Sequence, residues 1–248
     1  MFCKFPLFLV VLAGFVCISC KSQSVNKSIV YSFGSGINYN LEQADAVLKL
    51  DSKLKEVSGI AYHRTTDAIY AVNDEKGRLY ALDKRNGNIL ASYDIGGAGD
   101  YEGLEIDENL IYVAESNGEV IVFDLIKKKK VEKLKNNLNQ NNDIEAIGLG
   151  PGNDLLLLCK GKSLKGDRQE DVKHIYAIAN TGDGEVRKYL GVDIQAGIKR
   201  LQENADENES WLSDIVMKDR ISRFAPSGMA THPTVSYTHL TLPTTPYV

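Results

Sequence analysis

Short apolar runs separated by Gly, Asn and Asp dominate the middle of the chain. Ala68-Ile69-Tyr70-Ala71-Val72, Leu110-Ile111-Tyr112-Val113-Ala114 and Glu119-Val120-Ile121-Val122-Phe123 are rich in β-branched and aromatic residues, the composition expected of strands. Turn residues fall between them, and Asn86-Gly87 is a strong hairpin signal. The runs also recur in a fixed order. Ser58-Gly59-Ile60-Ala61 opens a unit that continues through Ala68–Val72 and Arg78–Leu82 to Ile89–Tyr93. Glu102-Gly103-Leu104-Glu105 opens a second and Glu145-Ala146-Ile147-Gly148 a third. Ser227-Gly228-Met229-Ala230 begins a fourth.

The spacing selects the architecture. Ser58 to Glu102 is 44 residues and Glu102 to Glu145 is 43. Four short strands in a repeat of that length predict an all-β fold, a β-propeller with one blade per unit. Blades are expected at about 58–95, 102–134 and 145–190, with the next starting at 227, inside a propeller segment of 46–234. The complete ring would have six blades, or five. The longer interval before Ser227 has apolar residues at helical spacing (Ile194, Ile198, Leu201; Trp211, Leu212, Ile215, Val216), which predicts short helices. An insertion is expected at 161–173. Ala46–Leu50 is expected to be the outer strand of a preceding blade, pairing with the last blade to close the ring. On that reading this chain holds about three blades and the start of a fourth.

Both ends differ from this body. Lys4 followed by the apolar Phe5–Ile18 reads as a secretory signal over 1–19, too short for a confident membrane span. Cys17-Ile18-Ser19-Cys20 resembles the lipobox of bacterial lipoproteins, except that Cys17 stands where Leu is usual. The resemblance implies that Cys20 is lipidated, that 20–45 is a tether, and that the protein is anchored to a membrane of the bacterial cell envelope. Val235–Val248 has no periodicity and no charged side chain. Its back-translation resembles a sequencing-library adapter, so 235–248 is read as adapter read-through. With Cys3 and Cys17 in the signal and Cys20 acylated, Cys159 is left without a disulfide partner and is expected to be a buried strand residue.

The 248 residues are 43% hydrophobic and 25% charged, the composition of a globular domain. A formal charge of −4 argues against a nucleic-acid partner.

Candidate chemistry follows from the repeat, because equivalent inner positions of successive blades converge around a propeller's channel. Glu102 and Glu145 are equivalent, with Asp100 and Asp143 two residues earlier and Glu56 at the same offset before Ser58. Converging hard oxygens suit calcium, which takes six to eight of them. The same carboxylates could instead cap tight turns between blades. The ends of the second strands, Asn73-Asp74, Glu115-Ser116 and Cys159-Lys160, form a further polar mouth. Gly148, Gly150 and Gly152 lie between strands, which excludes a dinucleotide fingerprint. No Ser/His/Asp arrangement is expected, since His174 falls where a third strand begins. Lys127–Lys130 reads as a solvated hairpin tip.

Ser58-Gly59-Ile60, Tyr70-Ala71-Val72-Asn73-Asp74, Asp100-Tyr101-Glu102-Gly103-Leu104 and Pro226-Ser227-Gly228-Met229-Ala230 together resemble the SdiA-regulated (YjiK-like) family. That resemblance implies an exported or membrane-anchored propeller and no settled activity. Asp100–Leu104 and Asp143–Ile147 are also similar to the Asp-x-Glu-Gly segments of β-propeller phytases, which implies calcium held by Asp100, Glu102, Asp143 and Glu145. The expected function is an envelope module that binds a small molecule or protein at the channel. The alternatives are a calcium-dependent hydrolase (phosphoesterase or lactonase) and a structural scaffold.

Overall fold

The computed structural model describes residues 31–33, 37–39, 47–166, 172–180, 184–193, 196, 228–231 and 238–241. The expected signal, Cys20, most of the tether and the two stretches of helical spacing lie outside these residues. Among the described residues no helix is long and apolar enough to cross a membrane.

Three four-stranded antiparallel sheets follow one another along the chain, each with its strands in chain order. Blade 1 comprises Val57–His63, Ala68–Asn73, Lys76–Asp83 and Ile89–Ala98. Blade 2 comprises Tyr101–Asp107, Leu110–Glu115, Val120–Asp124 and Lys129–Leu134. Blade 3 comprises Ile144–Leu149, Leu155–Cys159, Val172–Ile178 and Val186–Asp193. These are the blades of a β-propeller, with limits slightly wider than the repeat alone gives.

Period-two alternation sorts each strand between two neighbours. Tyr70 and Val72 turn toward blade 2, where they meet Ile111, Val113 and Phe123. Tyr112 and Ala114, on the other face of the same blade 2 strand, meet Leu155, Leu157 and Tyr176 of blade 3. The middle strands are therefore apolar on both faces, and Leu155–Cys159 is buried throughout. Each fully buried Leu or Ile in these layers contributes about 1.5–3 kcal/mol. Blade 3's far face, with Leu156, Leu158 and Ile175, packs against Met229. Met229 belongs to Gly228–Thr231, the predicted start of a fourth unit, which pairs antiparallel with Thr238–Thr241.

The innermost strands of successive blades approach closely. A Cβ on Gly59 would lie 2.8 Å from the Cα of Gly103, and one on Gly103 would lie 3.5 Å from the Cα of Ala146. The first approach leaves no room for a side chain and explains Gly59, whereas the second is ordinary van der Waals contact. At the hairpin tips, aspartates close the turns. The Asp83 carboxylate accepts from the Arg85 backbone and guanidinium, which lowers its pKa to about 2. Asp124 likewise accepts from the backbone N–H groups of Ile126 and Lys127. The Asn86-Gly87 turn forms as predicted, with Gly87 at φ 74°.

Residues 47–50 form no strand. Val47 is 86% exposed, and Leu50 lies beside Gly87 at a hairpin tip.

Candidate functional site

The first two strands of every blade slip by one residue at the same place. The irregularities fall between Val57 and Gly59, between Tyr101 and Gly103, and between Ile144 and Ala146. The extra residues are Ser58, Glu102 and Glu145. A β-bulge bends its strand and re-aims a side chain, so a device repeated in three blades sets these three at equivalent inner positions.

The backbone around each bulge is also repeated. The Asp74 N–H donates to the Glu56 carbonyl (3.2 Å), Ser116 to Asp100 (2.8 Å) and Lys160 to Asp143 (2.8 Å). Successive blades are then stitched together, with Tyr101 N–H donating to the Asp74 carbonyl and Ile144 N–H to that of Ser116, each at 2.9 Å. Glu56 and Asp143 adopt left-handed φ values of 61° and 52°, a conformation that favours glycine elsewhere. The sequence equivalence of Glu56, Asp100 and Asp143 is thus a structural one.

These bonds bring the carboxylates of blades 2 and 3 within electrostatic reach. Burial raises the Glu102 pKa to about 8, helped by the charge of Glu145 and a hydrogen bond with Asp100. Near neutral pH Glu102 therefore carries a proton. Burial also raises Glu145, opposed by Lys160, whose Nζ lies 2.5 Å from Glu145 Oε1 and 3.8 Å from Asp143 Oδ2. Lys173 donates to the Lys160 carbonyl, and burial lowers its own pKa.

The predicted residues do not all join this cluster. Glu56 is exposed, with Lys55 at 3.7 Å. Glu115 is buried in a separate network, 3.5 Å from Lys133 Nζ, which also binds Glu119. Asn73 is 3% exposed at the inner end of blade 1. The four candidate calcium ligands are arranged as two pairs, one sharing the Glu102 proton and the other facing Lys160. Among the described residues no group of three or more His, Cys, Asp or Glu side chains is placed to hold a metal ion. As they stand, these side chains are not a six- to eight-oxygen calcium shell.

Two features escaped the sequence reading. Ser58 Oγ, Asn73 Oδ1 and Asp74 Oδ1 are buried without a hydrogen-bond partner among the described residues. Ser163 Oγ and His174 Nδ1 share a 2.6 Å hydrogen bond beside a cleft of about 270 Å³ lined by Asn139, Asn141, Asn142, Lys162, Ser163, Leu164 and Lys165. The loop is fastened twice, since Leu164 N–H also donates to the hydroxyl of Tyr176, whose ring stacks on His174. No motif spacing announces a pair that meets only when an insertion folds back onto the third strand.

No curated protein matches the sequence. Among solved structures, hydrazine synthase from Kuenenia stuttgartiensis is similar at 16% identity and a TM-score of 0.41, over 54% of this chain and 37% of that one. The computationally designed Ika4 protein aligns at 14% identity and a TM-score of 0.40, over 59% of this chain and 98% of that one. The β-propeller domain of Myceliophteria thermophila Cps50 (Swd1) aligns at 14% identity and a TM-score of 0.43, over 83% of this chain and 55% of that one. The chain thus spans little more than a third of the hydrazine synthase chain it matches. The SdiA-regulated family matches residues 38–166, more than half of the sequence, and the chain belongs to that family.

Proposed function

We propose that this protein is a lipid-anchored binding module of the bacterial cell envelope, and that its blades present a mouth for a cationic ligand at the inner ends of their strands. The anchor rests on the lipobox-like segment ending at Cys20 and the apolar run before it. The binding role rests on the repeated bulge that sets Ser58, Glu102 and Glu145 at equivalent positions of three blades. Bulged positions serve strands poorly as packing elements and serve sites well, because they turn a side chain out of the pleat. Two of them are carboxyls whose pKa values burial raises, and the charge of Glu145 raises that of Glu102 further. Carboxyls crowded in partial burial are a standing demand for positive charge, and Lys160 answers it in blade 3 alone.

Calcium is one candidate ligand. It would have to draw Asp100 and Glu102 together with Asp143 and Glu145, displacing the Glu102 proton and competing with Lys160. Thermal melts of the full chain in calcium chloride and in amine salts test the reading, with Glu102→Gln and Glu145→Gln as variants. Stabilisation by either cation that falls in both variants supports a shared mouth. Melts that neither cation moves, or that shift equally in all three proteins, would remove the carboxylates from any binding role.

A further inference from the structure

We infer that the outer hairpin tips of blades 1 and 2 are a docking surface for an anionic phospholipid bilayer, with Lys128, Lys129 and Lys130 against the headgroups and Ile126 among them. The inference rests on the lipid anchor proposed above and deepens it, by naming the face that turns to the membrane.

Topology divides the connections of each blade between two faces. With four antiparallel strands in chain order, the first and third hairpins lie at one end, and the second lies with the bulge at the other. The third hairpins, 83–88 and 124–129, therefore share the face opposite the carboxyl mouth. Their blades adjoin there, since Tyr93 packs on Phe123 with ring centroids 5.0 Å apart. Residues 47–50 run along the same face, beside the turn at Gly87, where a Cβ would meet Leu50 at 2.9 Å and Leu48 at 3.6 Å. A tether that begins at Cys20 is thus joined to the blades on the hairpin face, which leaves the mouth turned away from the bilayer.

The two tips build the same turn with different charges. In each, an opening aspartate accepts from turn N–H groups, Asp83 from Arg85 and Asp124 from Ile126 and Lys127. Blade 1 then places Gly87 at φ 74°, whereas blade 2 places Lys128 at φ 53°, a left-handed position that Gly or Asn fills with less strain. Blade 1 neutralises its cations, pairing Lys84 with Asp67 at 2.6 Å and Arg85 with Asp83 at 2.9 Å. At the blade 2 tip Lys127 pairs with Asp124 at 3.0 Å, while Lys128, Lys129 and Lys130 are exposed and form no ion pair among the described residues. Asp107 and Glu108 share this face, but at the first hairpin of blade 2, nearer the axis. Beside the three lysines Ile126 is 74% exposed, and Val47 and Leu48 are exposed on the segment that meets the neighbouring tip. Unpaired cations with an aliphatic side chain among them are what interfacial binding uses, attraction to anionic headgroups together with shallow apolar insertion.

Lysine footprinting of the full chain tests this. The protein is reconstituted with vesicles of phosphatidylcholine, alone or mixed with phosphatidylglycerol, and acetylated by a reagent that does not cross the bilayer. Peptide mass spectrometry reads each lysine, and the intact mass reports acylation of Cys20. Lys128, Lys129 and Lys130 should react at least about fivefold more slowly on the phosphatidylglycerol vesicles, and salt at about 1 M should remove the difference. Lys162, whose N–H bonds to the Asn141 carbonyl on the mouth side, should react alike on both. Ile126→Glu, at an exposed position, should lessen the protection without disturbing the core. Equal rates on the two kinds of vesicle, or protection that covers Lys162 equally, overturns the surface. An acylated Cys20 with no protected lysine overturns the surface and leaves the anchor standing, whereas protected lysines with an unacylated Cys20 remove the anchor and leave the surface. Absence of both acylation and protection overturns both.

Discussion

Replacing Glu102 with Gln should make the protein more stable in alkaline solution, and by an amount that grows with pH. Glu102 has an ordinary pKa of 4.5 and is raised to about 8 in the fold, by burial first and then by Glu145 and Asp100. Below about pH 4.5 both folded and unfolded chains carry the proton, and the group's contribution is fully present. As pH rises toward 8 the unfolded chain ionises while the folded chain must keep its proton. Stability is lost through that window, by at most about 1.4 kcal/mol per pH unit, and the loss is complete above the folded pKa. Full burial would place the total near 5 kcal/mol, and the partial water contact of Glu102 reduces it to about 2–4 kcal/mol. Gln is neutral throughout and keeps an N–H to donate to Asp100. Urea unfolding of both proteins at pH 4, 6, 7 and 9 gives the difference directly, and groups that titrate alike in both cancel. The curves should coincide within about 0.5 kcal/mol at pH 4 and separate in favour of the variant at pH 9. A separation constant across the series, or one favouring wild type at pH 9, would refute the assignment of a shared, proton-bearing carboxyl cluster.

Other perturbations read different parts of the account. Gly59→Ala places a Cβ 2.8 Å from backbone and should cost about 1–3 kcal/mol in urea unfolding, whereas Gly97→Ala, with nothing within 4 Å, should stay within about 0.5 kcal/mol. Lys160→Ala leaves Glu145 without its nearest ammonium and should destabilise by about 1–3 kcal/mol at pH 8, and by less at pH 5, where Glu145 is more protonated. Cys159 is buried with its pKa pushed up to about 12, so iodoacetamide at pH 8 should label it in urea and spare it in the native protein, by mass spectrometry. Leu157→Ala opens a cavity between blades 2 and 3 and should cost about 2–5 kcal/mol by the same urea assay.

The fold was readable because propeller blades repeat their physics. Each blade needs four strands with apolar faces and tight turns, and Tyr70 and Tyr112 mark the same buried position on the second strands of two successive units. The equivalence of Glu102 with Glu145 was readable for the same reason. The bulge was not, because a one-residue slip changes pairing without changing composition. Its only trace is the small residue that follows it, Gly59, Gly103 or Ala146, whose role becomes clear when the inner strands are seen to touch. Partners were equally hidden. Nothing in the spacing distinguishes Glu115, held by Lys133, from Asn73, whose carbonyl is unpartnered among the described residues. Residues 47–50 carried a strand pattern, but a strand also needs an edge to pair with, and pattern alone does not supply one.

The central claim is a location, that cations are taken up where the bulged residues of the three blades meet. Backbone amide NMR of the isotope-labelled full chain, titrated with putrescine and separately with calcium, tests it most directly. The account predicts shifts concentrated at Ser58–Gly59, Asp74, Glu102–Gly103 and Glu145–Ala146, with the outer hairpins at Asp83–Asn88 and Lys127–Lys130 unmoved. Shifts confined to those hairpins, or to the Ser163 cleft, would contradict it.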